Sequence, residues 1–195
     1  MDRRWLVAGV VGVLGLFAVL ALVVGGVVGR SIVPTPAEPS RPATVRFADT
    51  LTDVAISYPA TWVRQSSRDQ AVRILAASPD GSAGVSVSVR KSGLETVTAQ
   101  SLAVVRPLTD DLLKADNRIA AVPEPAAVTV GGLPGYKYSY TYRAQDGTEG
   151  AHLHYYLFKD ERLIQLVLQA VPASRLASLE PTFDQIADTF EGSRR

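Results

Sequence analysis

The sequence predicts an α+β protein in which helices pack on an antiparallel β-sheet, preceded by one N-terminal transmembrane helix. Three observations lead to this fold class. Residues 5–29 are 25 consecutive uncharged residues, almost all of them apolar. Several later segments alternate apolar and polar residues with a period of two, as strands with one buried face do. The C-terminal segment repeats its apolar residues every three or four positions, which is typical of an amphipathic helix.

The apolar run 5–29 is predicted to be an uncleaved signal-anchor helix. At about 1.5 Å of rise per residue it is roughly 37 Å long, enough to cross the ~30 Å hydrocarbon core of a bilayer with some tilt. A cleavable signal peptide has a shorter apolar region and ends at a small-residue cleavage site. Arg3 and Arg4 precede the run, and basic flanks favour the cytoplasmic side. Residues 1–4 are therefore predicted to be the cytoplasmic tail of a single-pass cell-membrane protein whose C-terminal domain is extracytoplasmic.

Residues 30–43 are predicted to be a linker, and residues 44–195 a single domain. Prolines at positions 34, 36, 39 and 42 favour either a semi-rigid spacer or a disordered segment. The chain has no cysteine, which excludes disulfides, thiolate metal ligands and a cysteine nucleophile. Beyond position 30 the formal side-chain charges sum to −1, so the domain lacks the basic excess typical of nucleic-acid binding.

The first half of the domain is predicted to contain four strands followed by a helix. The strand-like segments are 45–47, 54–58, 72–76 and 85–90. Asp80 and Gly81 are predicted to form the turn that leads into the last of these strands. Residues 98–116 are predicted to be helical, with Pro107 either kinking one helix or starting a second.

The second half is predicted to be a three-stranded meander followed by a terminal helix. The predicted strands are 136–143, 151–158 and 162–170, with turns around Asp146 and Gly147 and at 159–161. Pro181 is predicted to begin the second half of the terminal helix, where Thr182 and Gln185 match a capping box. The apolar stripe of this helix is Leu176, Leu179, Phe183, Ile186 and Phe190.

Alternation within the strands predicts which side chains share a face of the sheet. The packed face is predicted to carry Val85, Val87, Val89, Tyr136, Tyr138, Tyr140 and Tyr142, with Leu153, Tyr155 and Leu157. The opposite face is predicted to stay at least partly wet and to bind a partner through Ser88, Arg90, Lys137, Ser139, Arg143, His152 and His154. Arg90 and Arg143 are the predicted anchors, because the planar guanidinium suits carboxylate or phosphate groups.

The His152-x-His154 pair raises the alternative of a metal-dependent or hydrolytic enzyme. On one strand face the two residues lie roughly 7 Å apart at the backbone. A catalytic zinc usually takes three protein ligands, and two histidines do not complete such a site. The sequence also contains no nucleophile elbow, no phosphate-binding glycine loop and no His-Glu-x-x-His. We therefore predict no catalytic residue, no metal and no cofactor.

Three segments together resemble a known family. Residues 56–62 read Ile-Ser-Tyr-Pro-Ala-Thr-Trp, residues 131–136 read Gly-Gly-Leu-Pro-Gly-Tyr before the meander, and a helix with Phe183 ends the chain. Over about residues 44–191 these features resemble the PsbP-like superfamily, which includes the photosystem II extrinsic protein and the LpqN-type exported lipoproteins of actinobacteria. The resemblance implies an antiparallel sheet with packed helices, a buried Trp62 and an accessory or binding role. The acylated cysteine of the lipoproteins is missing, so a transmembrane helix replaces the lipid anchor.

The predicted function is that of a membrane-anchored, extracytoplasmic, non-catalytic accessory or binding module of a bacterial cell envelope. Its predicted partners are the cytoplasmic membrane, through residues 5–29, and a protein or cell-envelope molecule, but not nucleic acid. One alternative is the enzyme based on His152 and His154. Another is a scaffold in which glycines of the transmembrane helix pack against a second helix.

Overall fold

The computed structural model describes residues 42–144 and 146–192. The predicted tail 1–4, the predicted signal-anchor 5–29 and the linker up to residue 41 lie outside the described residues. Within the two described ranges, no helix has the length and the apolar character needed to cross a membrane.

Nine strands and two α-helices make up the described part of the chain. The first five strands are β1 (Thr44–Asp49), β2 (Val54–Pro59), β3 (Val63–Arg64), β4 (Val72–Ala77) and β5 (Ala83–Lys91). The other four are β6 (Ala126–Val130), β7 (Leu133–Arg143), β8 (Glu149–Lys159) and β9 (Arg162–Ala170). The helices are α1 (Leu102–Lys114) and α2 (Leu176–Asp188), and a 3-10 turn, Ala173–Arg175, leads into α2.

Seven strands form one antiparallel sheet in the order β3-β4-β5-β9-β8-β7-β6, while β1 and β2 form a separate antiparallel hairpin. The predicted class, an antiparallel sheet packed with helices, is confirmed. The predicted meander accounts for the centre of this order, because β7, β8 and β9 are neighbours in sequence and in space. Its turns contain Gly147 and Asp160, whose φ angles are +85° and +49°.

All the predicted strands and both helices are present with ends shifted by a few residues. Pro107 lies inside the single helix α1, so it starts no second helix. Pro181 likewise lies inside the continuous helix α2, which begins without a side-chain capping bond, so the capping box predicted at Thr182 and Gln185 is wrong.

The sequence did not predict β3 or the edge strand β6. A two-glycine turn, with φ of +58° at Gly131 and +78° at Gly132, folds β6 back onto β7. Phe190 and Gly192 pack closely against this turn. A Cβ at Gly131 would lie 2.6 Å from the Phe190 carbonyl oxygen, so only glycine fits there.

The pairing register assigns the side chains of the sheet to two faces. Across β5, β9, β8 and β7, one row contains Ser88, Gln165, Tyr156 and Tyr136. We call this side, which carries Tyr136, Tyr138, Tyr140 and Tyr142, the tyrosine face. A parallel row contains Val85, Leu168, Leu153 and Ser139, and we call this side, which carries Val85, Val87 and Val89, the valine face. The prediction that these valines and tyrosines share one face is therefore wrong.

Each face has its own apolar core. The valine face packs against the β1–β2 hairpin and α2, whose Phe183 and Ile186 are fully buried. The tyrosine face packs against α1 through Leu112 and Leu113. Burial of Phe183 was predicted and is confirmed. Trp62 was predicted to be buried but is only half-buried, at the margin of the valine-face core.

Candidate functional site

The seven residues predicted to bind a partner do not share one wet face. By register, Ser88, Arg90, His152 and His154 belong to the tyrosine face, whereas Lys137, Ser139 and Arg143 belong to the valine face. The alternation within each strand was read correctly. The relative phase of the strands was wrong, because a shift of one residue between neighbours moves a whole row to the other side.

Each tyrosine-face member of the predicted set is buried or paired within the fold. Ser88 is 1% exposed and lies beneath this covered face. Arg90 forms a short ion pair with Asp69 of the loop that follows β3. The predicted role of Arg90 as an exposed anchor therefore lacks a geometric basis.

The two histidines are at the centre of a buried polar chain. His152 is 2% exposed and His154 is 0% exposed. Their Nδ1 atoms lie 3.2 Å and 3.0 Å from the same Tyr140 hydroxyl oxygen. Their Nε2 atoms lie 2.9 Å from Gln169 Oε1 and 3.1 Å from Gln165 Oε1, respectively. Four hydrogen bonds thus link five side chains across β7, β8 and β9.

The Tyr140 hydroxyl restricts where the histidine protons can lie. It has one proton to donate, so only one of the two Nδ1 atoms can accept it while the other donates to the oxygen. The second imidazole then carries its proton on Nδ1 and needs a donor at Nε2. The buried Gln165 Nε2 has no hydrogen-bond partner among the described residues, and a half-turn of this amide would supply that donor to His154. Every ring nitrogen of the two neutral imidazoles then has a hydrogen-bond partner.

Burial also keeps both imidazoles neutral. Removal from water lowers the pKa of His152 to about 4 and, with the neighbouring His152, lowers that of His154 to about 3. Tyr142 stacks on His152 with ring centroids 4.2 Å apart, and Tyr156 stacks on His154 at 4.1 Å. The pair is consequently closed to a substrate. Among the described residues, no group of three His, Cys, Asp or Glu side chains is placed to hold a metal ion.

The valine-face members of the predicted set lie along an accessible stripe of β7. Ser139 and Arg143 are exposed, and Lys137 is half-buried at the end of the stripe. Lys137 also lines an open groove of about 550 Å³ between β6 and α2. We call this space the edge groove. Its other lining residues are Val128, Thr129, Val130, Gly131, Tyr155, Asp184, Ala187 and Asp188.

The edge groove combines an apolar strand surface with charges of both signs. Lys137 Nζ lies 5.6 Å from the centroid of the Tyr155 ring. Burial raises the pKa of Tyr155, against the opposing effect of Lys137, so the phenol stays protonated at neutral pH. Asp184 and Asp188 are exposed on successive turns of α2 and form no hydrogen bond or ion pair within the described residues. Such a groove suits a ligand that presents both charged and apolar groups.

Sequence reasoning missed most of the edge groove because it missed β6. The alternation Val128-Thr129-Val130 directly before the glycine turn was the available signal for this strand. The spacing of Asp184 and Asp188, four residues apart, was the signal for an acidic helix face. Their proximity to Lys137 depends on how α2 packs, which no local pattern indicates.

Comparison with solved structures identifies the fold. The chain is similar to cyanobacterial PsbP from Synechocystis sp. PCC 6803, with 16% identity, a TM-score of 0.58 and coverage of 82% of this chain and 98% of that one. A protein from Bacteroides thetaiotaomicron VPI-5482 shares 11% identity at a TM-score of 0.52, covering 77% of this chain and 48% of that one. LpqN of Mycobacterium tuberculosis, described as involved in cell envelope biogenesis, gives 12% identity, coverage of 82% and 90%, and a TM-score of 0.47.

The chain therefore has a PsbP-like fold, as the sequence resemblance implied. No protein-family model and no curated protein matches the sequence. At these identities the similarity establishes the fold alone.

Proposed function

We propose that the protein is a membrane-anchored, non-catalytic accessory module of a bacterial cell envelope. Its domain lies outside the cytoplasm, and its edge groove binds a protein partner. The observation that carries the proposal is the edge groove itself, an accessible surface whose charged residues Asp184 and Asp188 have no partner among the described residues.

The proposed location rests on the sequence. The 25-residue apolar run at 5–29 follows two arginines, and a proline-rich segment separates it from the first strand. This order suits an anchor, a spacer and an extracytoplasmic domain. The absence of cysteine means that the domain depends on its two apolar cores rather than on disulfides.

The proposed binding role rests on the exposed part of the valine face. Lys137 links the edge groove to the accessible stripe of β7, where Ser139 and Arg143 are exposed. A partner in the groove would therefore find further hydrogen-bonding groups along the same strand. Strand β6 forms one end of the described sheet, so its outer backbone edge has no strand beside it.

The buried histidine pair gives no support to the alternative enzyme. A general base must come within hydrogen-bonding reach of a substrate proton. His152 and His154 are buried, and all four of their ring nitrogens face Tyr140, Gln165 or Gln169. Their environment is that of a structural network.

Membrane fractionation tests the proposed location. We expect the full-length protein to sediment with membranes and to resist extraction by high salt and carbonate. Externally added protease should degrade the domain in spheroplasts, which have lost the outer layers of the envelope. A full-length product released into the medium in processed form would contradict the proposed anchor.

Site-specific photocrosslinking tests the proposed groove in intact membranes. A photoreactive amino acid at Thr129, inside the groove, should give a discrete crosslinked species that is absent when the probe is at Val104, a 79% exposed site on α1. Mass spectrometry would identify the partner, and purification of that partner should in turn recover this protein. Equal crosslinking from both sites would indicate nonspecific contact.

Charge variants connect that crosslink to the groove. The variant Lys137→Gln with Asp184→Asn should lose the crosslinked species at Thr129. The matched control Lys114→Gln with Asp111→Asn removes the same charges from a surface ion pair on α1 and should retain it. Retention by both variants would place the binding surface elsewhere.

A further inference from the structure

A second pocket lies at the opposite end of the sheet from the edge groove, where β3 gives way to the loop 65–71. Strand β3 pairs with β4 only through Val63 and Arg64, followed by one bond from Gln65 N–H to the Leu75 carbonyl oxygen at 2.8 Å. After this bond the chain forms a loop away from β4, and β4 itself begins at Val72. This opens a space of about 460 Å³ between the loop and β4. We call it the arginine pocket.

The arginine pocket is lined by cationic and hydroxyl groups. Arg64 and Arg73 contribute two guanidinium groups, and Ser66 and Ser67 contribute two hydroxyl groups. The Arg64 guanidinium lies 5.0 Å from the centroid of the Phe47 ring, a contact that holds the cation over β1. None of the described residues that line this space carries a carboxylate.

Arg73 lines the pocket and is held by an ion pair with Asp49. Its Nε atom is buried and makes no hydrogen bond within the described part of the chain. The same Nε atom lies 3.5 Å from Asp49 Oδ2, which is an ion-pair distance. The Asp49 carboxylate also accepts bonds from Leu51 N–H at 3.0 Å and from the Thr52 hydroxyl at 2.7 Å. The ion pair with Asp49 therefore fixes the Arg73 side chain at the wall of the arginine pocket.

The other carboxylate of this region is already neutralised. Asp69, in the loop, forms an ion pair with Arg90 and accepts the Ala71 N–H at 2.9 Å. Arg68 is an additional exposed cation in the same loop. The charges around the pocket therefore leave an excess of positive charge facing the solvent.

We propose that the arginine pocket binds a phosphate group. A guanidinium presents paired N–H donors that match two oxygens of one anion, and hydroxyl groups donate to a third. Phosphate offers enough oxygens for Arg64, Arg73 and a serine at once, whereas a carboxylate offers only two. The phosphate can belong to a free phosphorylated solute or to a lipid headgroup, and the chemistry of recognition is the same.

The place where the chain enters the domain is compatible with a phosphorylated solute and with a lipid headgroup. The Ala60 N–H donates to the Ala43 carbonyl oxygen at 2.8 Å, so the chain enters the domain next to Ala60. Arg64 follows four residues later, within about 14 Å along the backbone. The arginine pocket thus lies close to the end of the linker.

Titration of the full-length protein in a neutral detergent tests the proposal. Inorganic phosphate is added at constant ionic strength, with chloride replaced in equal measure, and backbone amide NMR shifts are followed. We expect saturable shifts confined to residues 64–75. Shifts that are spread over the surface, or that never saturate, would overturn the proposal.

Variants separate specific binding from general charge attraction. Arg64→Gln alters an exposed side chain and should weaken phosphate binding about tenfold, the loss expected for one charged hydrogen-bonding group. Arg64→Lys keeps the charge without the paired donors and should recover only part of the affinity. The matched control, Arg106→Gln with Arg175→Gln, removes two exposed arginines of surface ion pairs and should bind as the unmodified protein does. Equal loss in the control would overturn the proposal.

Two soluble probes distinguish the sources of phosphate. Glycerol 3-phosphate is a monoester, and glycerophosphoglycerol is the diester headgroup of phosphatidylglycerol. Tighter binding of the diester supports a lipid headgroup, and tighter binding of the monoester supports a phosphorylated solute. Failure of both probes and of inorganic phosphate would reject the site. The result is independent of the edge groove, because no residue lines both spaces.

Discussion

Replacement of the buried histidines should remove most of the pH dependence of stability between pH 7 and pH 5. In the unfolded chain each imidazole has a pKa of about 6.5, whereas burial holds the pKa of His152 at about 4 and that of His154 at about 3. As the pH falls below 6.5, the unfolded state therefore binds protons that the folded state cannot bind. The stabilisation is fully present above the unfolded pKa and is lost as the pH falls toward the folded values.

The magnitude depends mainly on the unfolded state. Both folded pKa values lie below 5. Each histidine therefore lowers the free energy of unfolding by about 1.4 kcal/mol per pH unit over the roughly 1.5 units between pH 6.5 and pH 5, or by about 2 kcal/mol. The pair should thus lower the free energy of unfolding by about 4 kcal/mol between pH 7 and pH 5, which is a large share of a typical domain's stability. Carboxyl groups add little in this window. Asp80, for example, has its pKa lowered by hydrogen bonds from Ser78 and Ser82 and is ionised in both states.

Urea unfolding at pH 7, 6 and 5 measures this effect. The variants His152→Gln and His154→Gln should each retain about half of the pH-dependent loss, and the double variant less than about 1 kcal/mol. The control Tyr140→Phe removes the hydroxyl group between the two imidazoles but leaves both titratable. It should be less stable at every pH and keep the full pH dependence. An unchanged pH dependence in the double variant would refute the assignment of neutral, buried histidines.

Two further predictions concern packing, and a third concerns a surface ion pair. Phe183→Ala should lower the free energy of unfolding by about 3 to 5 kcal/mol, because the ring is fully buried. Trp62→Ala should lower it clearly less, because the indole is half-buried. The urea midpoints of the two variants test this difference. Gly131→Ala should be strongly destabilising because its Cβ would meet the Phe190 carbonyl oxygen at 2.6 Å, while Gly132→Ala, which has a positive φ but open space, should suffer only the backbone strain. Equal losses at the two glycines would show that packing against the C-terminal segment is unimportant. Arg46→Gln removes an exposed ion pair with Glu191 and should leave the thermal midpoint nearly unchanged, because solvent screens such pairs. A clear fall in the midpoint would indicate a role beyond that pair.

Most elements of this fold could be predicted from the sequence because their signals are local. Strand alternation, turn residues at Gly81 and Gly147, and the apolar stripe of the terminal helix each depend on residues close in the chain. Strand β6 is short, and its sequence Ala-Ala-Val-Thr-Val has only one clear alternation. Its pairing is evident from the two-glycine turn only once β7 is extended back to Leu133.

The prediction of the two faces was wrong because it assumed that every strand has one buried side and one exposed side. Strand β9 reads Arg-Leu-Ile-Gln-Leu-Val-Leu-Gln-Ala and is buried over nearly its whole length. Such a continuous apolar run indicates that both faces of a sheet are covered. With both faces covered, the period of two no longer distinguishes a wet side from a dry one. The valines of β5 and the tyrosines of β7 could then belong to different cores, as they do.

The candidate site was only partly predictable for a related reason. His152 and His154 were predicted to share one face of their strand and do so, but polarity does not require exposure when polar groups bind one another. Lys137, a member of the predicted set, lines the edge groove. The acidic residues that face it come from α2, and their placement depends on tertiary packing.

The buried polar chain also affects the edge groove, although it lies on the opposite face. A sheet covered on both faces carries apolar residues on both sides of β8 and β9, so burial alone specifies their register weakly. A slip of one residue would move the His152 and His154 imidazoles away from Gln169 and Gln165 and leave polar groups unpaired in an apolar interior. The correct register of β8 with β7 is also what places Tyr155 opposite Lys137 beneath α2. The histidines therefore contribute to the groove by holding the strands that form its floor, without contacting a ligand themselves.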